Sequence, residues 1–121
     1  MSLMLKQPLL FIFAIAIAFS FSPQLMANTS PLTQTQIEQK LSTVPQWQQE
    51  GQNITRTFEF ENFVSAIDFV NKLVEPAETA AHHPDIAISY NKVTVSLTTH
   101  DAGGLTQKDF ELAQTFSELE K

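Results

Sequence analysis

Apolar positions in this chain form one unbroken run near the N-terminus, then helical stripes that alternate with short period-two segments. Leu9–Phe21 is a run of 13 residues without a charge, broken by Ser22-Pro23-Gln24. Beyond it, Leu32-Thr33-Gln34-Thr35-Gln36-Ile37 reads as a helix start: Thr33 caps, Gln36 reaches back, and Leu32 packs on Ile37. This helix is expected to reach about Thr43, with Ile37 and Leu41 inward, because Pro45 prevents continuation. A short strand at Gln46–Gln49, a turn at Gly51-Gln52-Asn53 and a strand at Ile54–Phe60 follow. In the second strand Ile54, Arg56, Phe58 and Phe60 share one face.

The strongest periodicity comes next. Phe63, Ala66, Ile67, Val70, Leu73, Val74 and Ala77 recur at three- and four-residue steps and predict a helix over 62–82, capped by Asn62. Pro76 lies inside this pattern and predicts a kink near Lys72–Pro76; Pro84 ends the helix by His83. Asp85–Tyr90 and Val93–Thr99 then alternate as a hairpin through Asn91-Lys92. After the Gly103-Gly104 loop, Leu105–Phe110 repeats the staple-and-cap pattern and opens a last helix carrying Phe110, Leu112, Ala113, Phe116 and Leu119. The order α-β-β-α-β-β-α is that of a single α+β domain, a four-stranded antiparallel sheet with helices packed on one face. Phe58, Phe63, Ile67, Val70, Val74, Val95 and Leu97 are the expected core. Small sheets leave open edges, and the long apolar stripe exceeds what one sheet covers, so a homodimer or homotetramer is expected.

Composition changes the picture in three ways. Lys6 is the only charged residue of the first 27, so the remainder carries 6 Lys+Arg against 13 Asp+Glu, a net −7. That acidity argues against nucleic-acid binding and suits a neutral small-molecule ligand. No cysteine is present, which excludes disulfides, thiol catalysis and cysteine-ligated metals. Lys6, the apolar run, the break at Pro23 and the small residue Ala27 together have the layout of an export signal, so residues 1–27 are expected to be a cleaved signal peptide and 28–121 the domain. An uncleaved membrane anchor is the competing reading. Export implies a periplasmic or secreted protein, and a cytoplasmic one if the segment does not function.

The candidate chemistry lies between Glu78 and Asp101. All three histidines, His82, His83 and His100, flank the predicted hairpin, which folds its two ends together. Imidazoles give and take protons near neutral pH. Glu78, one turn before His82, could hydrogen-bond an imidazole and tune it, or could simply be a solvated helix residue. Asp101 could orient His100 or be a loop carboxylate. Trp47 could stack on a flat heterocycle or belong to the core. Asp109 reads as support for the last helix's N-terminus rather than as a ligand group. Converging imidazoles also raise zinc, but adjacent histidines rarely ligate one ion, and neither metal nor cofactor is expected.

The spacing Glu78-x3-His82-His83-Pro84-x5-Tyr90-x9-His100-x8-Asp109 resembles the signature of the pterin-4a-carbinolamine dehydratases. Trp47, Phe58-x-Phe60-x-x-Phe63, Tyr90-Asn91-Lys92-Val93 and Thr99–Thr106 extend the resemblance from about Leu32 to Leu119. It implies the same α+β plan, assembly into dimers or tetramers, and a pocket for pterin lined by His82, His83 and His100. His82 and His100 would be the acid/base pair and His83 a binding group. The implied reaction is removal of water from a 4a-hydroxy-tetrahydropterin to give quinonoid dihydropterin, as in tetrahydrobiopterin recycling. The substrate arises in the cytoplasm, whereas the N-terminus points to export. A non-catalytic pterin-binding or dimerisation module on the same fold is the alternative.

Overall fold

The computed structural model describes residues 30–121; the expected export segment, residues 1–27, lies outside the described residues. The elements are α1 (Gln34–Leu41), β1 (Gln48–Glu50), β2 (Asn53–Glu59), α2 (Phe63–Ala80), β3 (Asp85–Ser89), β4 (Lys92–Leu97), a 3-10 turn (His100–Ala102) and α3 (Gln107–Leu119). This is the expected α+β order. The four strands form one antiparallel sheet in the order β1-β2-β4-β3.

Local chemistry sets the boundaries. Thr33 and Gln36 form the reciprocal capping box expected at α1. Asn62 accepts from the Ser65 N–H and caps α2. The hairpin turn falls one residue earlier than the sequence reading places it. Ser89 pairs with Lys92, leaving Tyr90-Asn91 as a two-residue loop in which Tyr90 has a positive φ of 52°. β1 likewise starts two residues later than expected, after a turn at Val44–Gln46. α2 continues through Pro76 to Ala80 as a single helix.

The sheet has two chemically different faces. Ile54, Phe58, Val93, Val95 and Leu97 point at the helices and are at most 1% exposed. On the opposite face Thr55 bonds Ser96 at 3.0 Å and Thr57 bonds Thr94 at 2.9 Å, so hydroxyl pairs bridge β2 and β4. Arg56 is the polar exception on the inner face. Its guanidinium lies 4.0 Å from the Phe58 ring centroid and donates to Ser117 and Glu120 of the α3 end. This anchors the C-terminal turn to the middle of the sheet and satisfies the buried charge.

The face of α2 that meets the sheet overlaps the predicted stripe only in part. Ala66, Phe69, Leu73 and Ala77 are buried, and Phe69 stacks on Phe58 at 4.6 Å and on Phe60 at 4.9 Å. Phe63 and Val74, expected in the core, are 51% and 57% exposed, and Ile67 and Val70 are half-buried. The buried side lies on one flank of the stripe, turned towards Phe69, and leaves the other flank uncovered. The uncovered flank lies beside β3, an edge strand exposed along its whole length, where Ile86 and Ile88 are also open.

The packing separates two phenylalanines of similar sequence context. Phe58→Ala should destabilise the fold by about 3–5 kcal/mol, the usual cost of deleting a core aromatic. Phe63→Ala in dilute protein should stay within about 0.5 kcal/mol. Urea denaturation of both variants checks the pair.

Candidate active site

The end of α2 decides where the first two histidines go. Ala81 caps the helix in the left-handed region, with φ 48° and ψ 40°, and its N–H bonds back to Ala77 and Glu78. The helical register is therefore lost before His82. Glu78 and His82 no longer stand one turn apart on one face, so the imidazole that Glu78 bonds is not that of His82. Glu78 instead meets His83, whose Nε2 lies 2.7 Å from Oε1, with both side chains more than 60% exposed.

His82 turns the other way, into the molecule. Its Nε2 lies 2.6 Å from Oδ1 of Asp109, a residue with no exposed surface. Two further donors reach the second oxygen of that carboxylate. Thr99 Oγ1 donates to Oδ2 at 2.8 Å, and the Thr106 N–H donates to it at 2.9 Å. Thr99 Oγ1 also lies 2.8 Å from Thr106 Oγ1. Three donors around one buried carboxylate are what its desolvation requires. Asp109 is the third residue of α3, so it supports the helix N-terminus as expected. It also orients His82, a role the sequence reading did not assign. A carboxylate can only accept, which places the imidazole proton on Nε2. Nδ1 makes no hydrogen bond among the described residues and is not a buried orphan, so it keeps contact with solvent and, in the neutral ring, carries the lone pair.

His100 approaches from the far end of the hairpin. β3 and β4 pair antiparallel with Asp85 opposite Ser96, so the residues before β3 and after β4 meet at one end of the sheet. Thr99 N–H bonds the Gly104 carbonyl at 3.3 Å and Gly104 N–H bonds the Thr99 carbonyl at 3.4 Å, closing the short turn that presents His100. Gly103 sits in the left-handed region at φ 73°, which glycine adopts without a Cβ penalty. His100 and Asp101 are exposed, and no ion pair joins them. Successive side chains in a 3-10 turn diverge by about 120°, which separates the two.

Trp47 stands apart from this cluster. It is 3% exposed, its ring meets Phe58 edge-on at 6.0 Å, and its Nε1–H donates to Ser117 at 2.9 Å. The indole is thus a core element with its polar atom satisfied, and it offers no face to a ligand. Among the described residues no three His, Asp or Glu side chains are grouped closely enough to share a metal ion. The largest groove, about 640 Å³, runs between α2 and α3 from Lys72 and Leu119 to Ala80 and Lys108, and it contains none of the histidines. A smaller apolar cavity of about 180 Å³ between α2 and β3 has Glu78 and His83 on its rim.

The residues that the sequence reading passed over are Thr99 and Thr106, together with Asp109 as the partner of His82. One signal was available. Thr99 continues the inward alternation of Val93, Val95 and Leu97, and a hydroxyl at a core-facing position needs a buried partner.

Residues 30–119 match the family described as pterin 4 alpha carbinolamine dehydratase. A Picosynechococcus sp. protein described as "Putative pterin-4-alpha-carbinolamine dehydratase" is 68% identical over 88 residues, covering 73% of this chain and 96% of its own. A Cyanothece sp. protein of the same description is 61% identical over 90 residues, covering 74% and 93%. A crystal structure from Brucella melitensis, described as a transcriptional coactivator/pterin dehydratase, superposes with a TM-score of 0.73 at 31% identity, covering 76% of this chain and all of that one. This chain therefore belongs to the pterin 4 alpha carbinolamine dehydratase family.

Proposed function

We propose that this chain is a 4a-hydroxytetrahydrobiopterin dehydratase, a hydro-lyase that works by histidine acid/base catalysis. The observation that carries this reading is His82 held through Nε2 by the buried Asp109 carboxylate, with no hydrogen bond to its Nδ1 among the described residues. Loss of water from a 4a-carbinolamine breaks the C–O bond while the hydroxyl gains a proton, and a proton leaves the adjacent ring nitrogen. The products are water and the quinonoid dihydropterin. Two imidazoles on either side of the ligand supply both transfers near neutral pH. His82 and His100, brought together by the hairpin, take these roles. His83, held from outside by Glu78, binds the pterin. Asp109 resembles the orienting acid of a catalytic triad: it fixes the tautomer and ring plane of the histidine without itself transferring the proton.

His82→Ala or His100→Ala should lower kcat by roughly 10²–10⁴-fold with an unchanged circular dichroism spectrum, the usual contribution of one general acid or base. His83→Ala should raise KM for the 4a-hydroxy-tetrahydropterin and change kcat less, and chelators should have no effect. A wild-type protein that binds the pterin without dehydrating it would support a binding module in its place.

Assembly belongs to the same proposal. Phe63, Val74, Ile86 and Ile88 form an exposed apolar surface beside the unpaired edge of β3. A second copy can cover both in one isologous contact. We expect a dimer or tetramer by sedimentation at micromolar concentration, and we expect Val74→Asp to shift it towards monomer while the monomer stays folded.

Export is the remaining part. The family match begins at residue 30, so the apolar segment and Ala27 precede the shared domain. We propose that the segment directs the protein out of the cytoplasm and is removed after Ala27. N-terminal sequencing of the mature protein should begin at Asn28; intact Met1 or Ser2 on cytoplasmic protein would contradict export.

A further inference from the structure

We infer that Thr99 is a positioning residue that ties the two acid/base histidines into one unit. The inference rests on the dehydratase reading for its kinetic consequence, but its geometry stands independently. Thr99 is 6% exposed and makes three kinds of contact at once. Its hydroxyl donates to Asp109 Oδ2. Its backbone N–H and carbonyl both bond Gly104 and close the turn that carries His100. It immediately precedes His100 in the chain. One residue thus touches the support of each imidazole.

The direction of the hydroxyl chain follows from proton counting. Each hydroxyl has one proton to give. Thr99 spends its proton on the Asp109 carboxylate, so the 2.8 Å contact with Thr106 is a bond that Thr106 donates. The order is Thr106 O–H to Thr99, Thr99 O–H to Asp109 Oδ2, and His82 Nε2–H to Asp109 Oδ1. Every donor in it points towards the carboxylate. Removing the Thr99 hydroxyl leaves Oδ2 with the Thr106 N–H alone and leaves the Thr106 hydroxyl without its acceptor. The carboxylate keeps the Thr106 N–H and His82 but loses the donor that ties it to the segment just past β4, so its hold on the His82 ring loosens. Because small misplacements at a reacting centre are costly, the effect falls on turnover rather than on binding.

Thr99→Val keeps the β-branched shape in a buried site and deletes only the hydroxyl; Thr99→Ser keeps the hydroxyl and deletes a methyl. The expected result is a roughly 10- to 100-fold loss of kcat in Thr99→Val with KM nearly unchanged. Thr99→Ser should retain most of the activity. The ¹⁵N shifts of the His82 ring give a readout that a merely structural role would not move. Wild type and Thr99→Ser should show protonated Nε2 and bare Nδ1 at matching shifts, and Thr99→Val the same tautomer with a displaced Nε2 signal, as its hydrogen bond to Asp109 lengthens. Thr99→Val with unchanged kcat, or with an unchanged His82 Nε2 shift, would overturn the inference. So would a wild-type His82 protonated on Nδ1, a measurement that needs no variant to fold. If wild type shows no dehydratase activity, the dehydratase reading falls, while the comparison of His82 ring ¹⁵N shifts still decides the role of Thr99.

Discussion

A carboxylate that water cannot reach is tolerated only where donors surround it, and Asp109 sits where three elements meet. The second residue after α2 supplies an imidazole, the segment just past β4 a hydroxyl, and the N-cap of α3 a backbone N–H. None of these donors could be removed without leaving a buried acceptor short of a partner. The same bonds therefore hold the end of the sheet to the helix layer and aim His82. Fold and proposed site share one set of contacts.

The two histidine–carboxylate pairs differ in environment more than in geometry. Both have ring nitrogen and oxygen within 2.7 Å. His82–Asp109 is enclosed, where a hydrogen bond is strong and its loss is expensive. His83–Glu78 is open to solvent, where water and salt compete and such a pair contributes little. Adjacent positions in sequence thus deliver one rigid imidazole and one adaptable one. That division suits a fixed proton-transfer group beside a binding group.

The helix layer shows the complementary constraint. α2 carries apolar residues around more of its circumference than one four-stranded sheet can bury. Phe69 and its neighbours fill the core against Phe58, and Arg56 closes the layer at the α3 end through Ser117 and Glu120. What remains is an apolar flank next to the exposed strand β3, the type of surface that a protein of this size hides by association.

Much of the architecture was legible in the pattern of residues. Period-two and period-3.6 stretches specified seven elements in order, and capping residues at Thr33 and Asn62 placed two helix starts. The spacing of Glu78, the three histidines and Asp109 identified the family, since that spacing is local chemistry written along the chain. Other features were decided only in three dimensions. A stripe of seven apolar residues says that a helix has a buried side, but its seating on the sheet selects which part of it, so Ala66, Leu73 and Ala77 went in beside Phe69, which lies outside the stripe, and Phe63 and Val74 stayed out. Likewise, spacing put Glu78 one turn from His82. The left-handed conformation of Ala81 then rotated His82 away from that turn and towards a carboxylate 27 residues further on. Partners so far apart in sequence are set by how the helices close over the sheet, and no local pattern encodes that choice.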